Sequence, residues 1–221
     1  MGMAYELGTV LGEGSTAITF LAEDESGRKV VVKQFKSPNY AEQRWQKEAQ
    51  ALRQLTHPQI PKYIDEYVAK VQGRSLPHLV QEYVEGASLQ EEMKNRKTTW
   101  NESRAWLLDL LGILEYLQSL HPPVIHRDIK PSNVIRRNDG RLVLIDFGLA
   151  MDSVDRTFDH TMVAGTLGYQ SMEQIAGRPT IQSDVYSMGV LAVELLIGRS
   201  PKSMLNGMTL EWRKKCLGLP L

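Results

Sequence analysis

His126-Arg127-Asp128-Ile129-Lys130-Pro131-Ser132-Asn133, followed after a short apolar stretch by Asp146-Phe147-Gly148, is the passage that decides how the rest of the chain is read. An aspartate in a polar loop can accept a proton from a hydroxyl, and an asparagine and a second aspartate close behind it are hard oxygen ligands suited to a small divalent cation. One segment thus combines a proton acceptor, Asp128, a cation, Lys130, and two metal-ligand candidates, Asn133 and Asp146. An isolated His-Arg-Asp tripeptide reads equally well as a turn with a solvated ion pair. The decision rests on whether companion motifs occur in order along the chain.

They do. Near the N-terminus, Gly12-Glu13-Gly14-Ser15-Thr16-Ala17-Ile18-Thr19 carries small residues whose backbone N–H groups can approach a phosphate, although alone it reads as a hairpin turn. Val30-Val31-Val32-Lys33 places a lysine at the end of a β-branched run, and Glu48 in a following helical stretch offers the opposite charge that a lysine in a site needs to stay protonated and aimed. Gln81-Glu82-Tyr83-Val84 closes the next pair of strand-like runs, and Gly165-Thr166-Leu167-Gly168-Tyr169 follows the Asp146 segment.

This ordered set resembles the eukaryotic-type protein kinase family over residues Tyr5 to Ser200. The resemblance implies transfer of the γ-phosphoryl group of ATP to a protein hydroxyl, with autophosphorylation included. It implies catalytic roles for Asp128 as base or substrate orienter, Lys130 as stabiliser of the transferring group, and Lys33 with Glu48 as the pair that holds the α- and β-phosphates. Asn133 and Asp146 become the metal ligands, for Mg2+ with Mn2+ as the alternative. Gly12, Glu13, Gly14, Ser15, Ala17, Lys33, Glu82 and Val84 become the nucleotide contacts, Glu82 and Val84 through the backbone of a hinge that Gln81 would guard. Lys130-Pro131-Ser132-Asn133 and Thr166 are similar to serine/threonine rather than tyrosine kinases. Leu52, His126 and Phe147 would join one stack, Asp184 would anchor the catalytic loop, and Arg127 would meet a phosphorylated activation segment, with Thr161 the leading acceptor over Ser153 and Thr157.

Composition agrees with that class of chemistry without naming a partner. The chain has 221 residues, enough for one or two domains, and 26 basic residues balance 26 acidic ones. No net field draws it to nucleic acid or an anionic membrane. Cys216, the only cysteine, excludes an intrachain disulfide and fits a reducing, cytoplasmic setting. The opening residues show no charged-then-apolar leader, Glu6 stands where a myristoylation signal needs Ser or Thr, and the apolar run Gly189 to Gly198 is broken by Glu194 and too short to span a bilayer.

The expected fold is α+β and bilobal: residues 1–84 as a five-stranded antiparallel sheet with one helix, 85–221 as a mainly helical lobe that looks incomplete. Strands are expected around Tyr5–Leu11, Ile18–Ala22, Val30–Phe35, Tyr63–Val71 and Leu76–Val84. A helix from Ser37-Pro38 carries Trp45, Ala49, Leu52 and Leu55 inward and stops at His57-Pro58, and Gly86 marks the boundary. Thr99 and Glu102 predict a capping box ahead of a stripe at Trp106, Leu107, Leu110, Leu111, Leu114 and Leu117. A second helix runs from Thr180 to Gly198. The tail from Pro201 is expected to add one short helix over Leu210–Leu217, and the arginine that this family pairs with the acid at Glu173 has no source here. An incomplete second lobe would expose apolar surface, to be covered by a second copy or another protein. The competing readings are a nucleotide-binding scaffold without transfer activity and a small-molecule kinase of similar fold.

Overall fold

The β-branched and apolar runs of the first 84 residues pair as a five-stranded antiparallel sheet. In the computed structural model, which describes residues 5–152, 165–207 and 209–212, its strands are β1 (Glu6–Glu13), β2 (Ala17–Glu23), β3 (Lys29–Phe35), then helix α1 (Pro38–Gln54), then β4 (Tyr63–Val71) and β5 (Arg74–Glu82). The spatial order is β1-β2-β3-β5-β4. Because side chains alternate along a strand, β3 sends Val30 and Val32 to one face and Val31 and Lys33 to the other. The first face closes over a core of Ala22, Val30, Val32 and Val80, with Tyr5, Ile64 and Tyr67 packed against it. On the other, the register sets Lys33 opposite Thr19 and Leu79, and Val31 opposite Gln81. The strand β1 is exposed along its whole length, including Leu7, Val10 and Leu11. Its apolar residues therefore record β propensity at a sheet edge rather than core packing.

Pro38 starts α1 with a preset φ, and the helix stops at Leu55, whose N–H bonds to the Leu52 carbonyl. The helix packs mainly on β5 and buries Glu48, Ala49 and Leu52 almost completely.

The chain divides into two compact units, Met1–Val84 and Glu85–Leu221. The second opens with β6 (Ala87–Ser88), α2 (Leu89–Asn95) and α3 (Trp100–Ser119), continues through β7 (Val124–Ile125), β8 (Val134–Arg136), β9 (Leu142–Leu144) and β10 (Met151–Asp152), and resumes with α4 (Met172–Ile175), α5 (Ile181–Ile197), β11 (Leu205–Asn206) and β12 (Thr209–Leu210). Both α2 and α3 begin with capping boxes, Ser88 with Glu91 and Thr99 with Glu102. The inward face of α3 carries Trp106, Leu110, Ile113, Leu114 and Leu117, packs on α5, and includes Ile113 where the sequence pattern suggested Leu111, which is exposed. Leu111 lies just outside the buried arc because the 3.6-residue period carries it off the face that Leu114 and Leu117 share. Helix α5, Ile181–Ile197, is flanked by Thr180 as N-cap and Gly198 as C-cap, the two ends the sequence pattern predicts.

The expected helix over Leu210–Leu217 is not what its described part forms. Leu210 pairs with Leu205 across a tight two-strand turn, and the Glu211 N–H returns to the Met204 carbonyl; residues 213–221 lie outside the described residues. Met172, Val185 and Tyr186 are exposed on this unit. No helix among the described residues is long and apolar enough to cross a membrane.

Gly86 has φ of 151°, and a β-carbon there would sit 2.1 Å from the Arg136 carbonyl oxygen. Backbone cannot retreat as a flexible side chain can, since Arg136 is pinned in the β6–β8 ladder. Gly86→Ala is expected to lower unfolding stability by about 2–4 kcal/mol, read from denaturant midpoints, through backbone strain and overpacking together.

Candidate active site

The first unit brings two of the predicted residues together. Lys33 Nζ lies 2.8 and 2.9 Å from the two carboxylate oxygens of Glu48, one strand lysine held by both oxygens of a helix carboxylate that is 2% exposed. The contact crosses from β3 to α1 because Lys33 projects from the same face as Leu79, and α1 covers β5. A buried carboxylate and an ammonium at this range each satisfy the other, and breaking one would leave an uncompensated charge.

Gly12 and Glu13 end β1, Gly14 and Ser15 lie in the turn, and Ala17 opens β2. Gly12 pairs with Thr19 and Glu13 with Ile18, and the turn closes through the Gly14 N–H to the Ala17 carbonyl at 2.9 Å. A β-carbon on Gly12 would meet nothing within 4 Å, and one on Gly14 would meet only the Ala17 carbonyl at 3.7 Å. Neither internal packing nor a left-handed φ asks for glycine at these two positions. Open space over a bare backbone is what close approach of a ligand requires. Glu13 itself is turned to Lys36, 2.6 Å away. At the end of β5 the Glu82 N–H bonds to the Lys62 carbonyl at 2.9 Å, so a contact of Glu82 with a base would fall to its carbonyl. Val31, Gln81 and Val84 are buried.

In the second unit the loop from His126 to Asn133 hangs on one carboxylate. Asp184, on the first turn of α5, accepts the N–H of His126 through Oδ2 at 2.7 Å and that of Arg127 through Oδ1 at 2.8 Å. Burial raises its pKa, and the two backbone N–H donors with the neighbouring His126 and Arg127 work against that shift. The next residues build outward from this anchor. The His126 ring accepts the Asp128 N–H at Nδ1, 3.3 Å away, while Nε2 lies 3.1 Å from the Ile145 carbonyl and so carries the proton. Its edge meets Phe147 in a T-shaped contact with centroids 4.8 Å apart. Leu52, the third member of the expected stack, is fully buried in the first unit.

Asp128 is the hub. Its Oδ1 accepts from Thr166 Oγ1 at 2.9 Å; its Oδ2 accepts from Lys130 Nζ at 2.6 Å and Asn133 Nδ2 at 3.0 Å. Lys130 Nζ also reaches Thr166 Oγ1 at 2.8 Å, closing a ring of lysine, aspartate and threonine. Asn133 Nδ2 donates a second bond, to the Asp128 carbonyl at 2.9 Å, which fixes the amide so that its oxygen points away from Asp128. Asp146 and Arg127 both have positive φ, 65° and 70°. A strained backbone at two non-glycine residues flanking this hub costs of order 1–3 kcal/mol each and persists only where the surroundings over-determine it.

Those surroundings include residues that sequence reasoning missed. Gln174, in the four-residue helix α4, donates Nε2 to the Arg127 carbonyl at 2.7 Å and clamps the strained peptide. Gly165, at φ of 118°, leaves no room for a β-carbon beside that same amide, 2.7 Å away. Nothing about a lone glutamine in sequence announces such a clamp. Glu173 finds a partner other than the expected arginine: its Oε1 accepts from Ser183 Oγ at 3.0 Å. Burial opposes ionisation of Glu173, but hydrogen bonds from Ser171 and Ser183 outweigh it and hold the carboxyl below its usual range. Tyr169 donates its hydroxyl to Glu194, a second unanticipated pair, and burial with that hydrogen bond raises the phenol so that the proton stays on the tyrosine. Arg127 is 2% exposed; Ser153, Thr157 and Thr161 lie outside the described residues.

The sequence that carries these residues is similar to those of known proteins. The protein kinase domain family model matches residues 5–216, past the point where the motifs alone end. Serine/threonine-protein kinase B of Synechocystis sp. is 37% identical over 235 residues, covering 95% of this chain and 40% of that protein. Serine/threonine-protein kinase PknA of Nostoc sp. is 38% identical over 220 residues, covering 90% of this chain and 38% of that protein. A probable serine/threonine-protein kinase of Streptomyces coelicolor is 36% identical, covering 91% of this chain and 31% of that protein. The chain belongs to the protein kinase family, whose members use ATP and a divalent metal, and it spans about two fifths of the length of the cyanobacterial relatives.

Because Asp184 supplies both acceptors of the His126 and Arg127 amides, Asp184→Asn would turn one of them into a donor. Loss of a charge-assisted bond of about 1.5–3 kcal/mol is expected to speed hydrogen exchange at these two amides by about 10- to 100-fold, measured by native-state exchange, with far-UV circular dichroism unchanged.

Proposed function

We propose that this chain is a serine/threonine protein kinase domain that moves the γ-phosphoryl group of ATP to a serine or threonine hydroxyl of a protein. The observation that carries the reading is the convergence of Lys130, Thr166 and Asn133 on the Asp128 carboxylate. Three donors hold both carboxylate oxygens at once, so the group is aimed before any substrate arrives.

In the proposed step the substrate hydroxyl oxygen forms a bond to the γ-phosphorus as the bond from that phosphorus to the bridging oxygen breaks. ADP departs with the electron pair, and the hydroxyl proton passes to Asp128 Oδ1 or Oδ2. Lys130, whose ammonium already lies against Asp128, neutralises charge on the transferring oxygens. Lys33, kept protonated and oriented by Glu48, takes the α- and β-phosphates, and the β1–β2 turn with its open glycine positions covers them. Val31 and Val84 would border the base, with the Val84 backbone as its hydrogen-bonding partner.

Asn133 and Asp146 would hold the metal. Their donor set, one amide oxygen and one carboxylate, is hard and suits Mg2+, with Mn2+ as the alternative. Among the described residues no cluster of three or more His, Cys, Asp and Glu forms a cage, which fits a cation bound chiefly through nucleotide phosphates. When bound, that ion offsets phosphate charge. Lys-Pro-Ser-Asn after Asp128, with Thr166 in the ring, supports serine and threonine as acceptors. We place the protein in the cytoplasm on its single cysteine, and propose that a second copy or another protein covers the exposed Met172, Val185 and Tyr186.

Transfer of labelled γ-phosphate from Mg-ATP to the chain itself and to a generic protein substrate is the direct test. Asp128→Asn is expected to lower the rate about 100- to 10,000-fold while nucleotide affinity stays within about threefold. Nucleotide binding by the well-folded wild type without any transfer would replace this reading with that of a scaffold. Lys33→Met should weaken ATP binding or transfer at least tenfold, since it removes the ammonium proposed to hold the α- and β-phosphates and takes the counter-charge from buried Glu48; calorimetry against ATP and the same label assay separate the two effects.

A further inference from the structure

A cleft of about 460 Å3 opens in the second unit directly beside the catalytic ring, with Lys130 and Thr166 in its wall. Its lining is not electrically neutral. Gln90, Met93 and Lys94 come from one face of α2, at the spacing that places helical residues side by side, and Lys202 comes from the segment after α5. That segment is seated by close approach of Pro201 to Gly168, 3.1 Å from where a β-carbon would stand, so Lys202 is positioned against the loop that carries Thr166.

Among the described residues the cleft therefore carries three ammonium groups, Lys94, Lys130 and Lys202, against one carboxylate, Glu194. Glu194 is already taken by the Tyr169 hydroxyl, and Lys130 by Asp128 and Thr166. Lys94 and Lys202 are exposed, and among the described residues neither sits in an ion pair with a carboxylate within 4.0 Å; Lys94 feels Glu91 only at longer range, as a minor cause of the lowered Glu91 pKa. Two uncommitted cations thus flank the point where the acceptor hydroxyl would enter.

We infer that this cleft selects protein substrates in which aspartate or glutamate side chains flank the acceptor serine or threonine, with Lys94 and Lys202 as the specificity-determining residues. Charge complementarity is the reason: a basic flank would face ammonium groups with no carboxylate to spare, an acidic one would find two. The occupant is an unmodified acidic peptide rather than a phosphorylated one, because no arginine among the described residues lines the cleft, and it is the planar guanidinium fork that matches phosphate geometry. The inference rests on the assignment of Asp128 and Lys130 as the transfer site.

The test uses three fluorescent peptides with one acceptor threonine, differing only in flanking Asp/Glu, Ala or Lys/Arg. Binding is read by anisotropy on the full chain at low and moderate salt, and transfer is read separately as kcat/KM. Two partly exposed charge pairs should favour the acidic peptide over the neutral one about fivefold or more, less so as salt rises. The double variant K94E/K202E should reverse the order toward the basic peptide. Exposed side chains make misfolding of that variant avoidable, and the single variants K94A and K202A, each reducing the preference, give an independent reading. Equal binding of all three peptides, or a preference that the variants leave intact, overturns the inference. Charge-selective binding without phosphate transfer would keep the cleft assignment and remove the catalytic one.

Discussion

A single buried carboxylate organises the loop that carries Asp128 in the second unit of this molecule. Asp184 stands on the first turn of α5 and takes the amide hydrogens of His126 and Arg127, so the position of the loop is set by the position of a helix. Everything chemical then follows by short links: His126 carries the Asp128 amide, Asp128 gathers Lys130, Thr166 and Asn133, and Asn133 passes its own carbonyl to the Ile145 amide at 2.9 Å just before Asp146. Burying an ionised group is costly unless its lone pairs are met. Here they are met by backbone, which converts that cost into a constraint on chain path.

Strain is the counterpart of this order. Arg127 and Asp146 adopt positive φ on either side of the hub, and the fold holds them with Gln174 on the Arg127 carbonyl and a glycine at 165 that lets the clamp close. The first unit solves a different problem by simpler means. Strand parity alone puts Lys33 on the face with Val31 and Gln81, and a helix whose inward surface includes Glu48 supplies the counter-charge.

What could be read from sequence divides along the same line. Features set by periodicity and local chemistry were legible: the five strands, the capping boxes at Ser88 and Thr99 of which Thr99 was foreseen, the extent of α5, and the residue types of the loop. Features set by three-dimensional juxtaposition were not. Gln174 and Glu194 carry no pattern that marks them, the hydrogen bond from Ser183 to Glu173 depends on how α4 meets α5, and Leu111 was misassigned because a leucine-rich helix offers more apolar positions than its buried arc can accept. The strand at Leu210 went unforeseen because a short apolar tail fits a helix or a hairpin equally.

The closed ring of Lys130, Asp128 and Thr166 has a bearing on how weakly or tightly a substrate can be held. Lys130 and Thr166 find their partners inside it, and three donors take three of the roughly four acceptor positions of the Asp128 carboxylate. In the proposed reading an arriving hydroxyl would add a single hydrogen bond at the position left on Asp128, worth about 0.5–1.5 kcal/mol net. Most of the grip on a protein would then come from side chains some distance along its sequence.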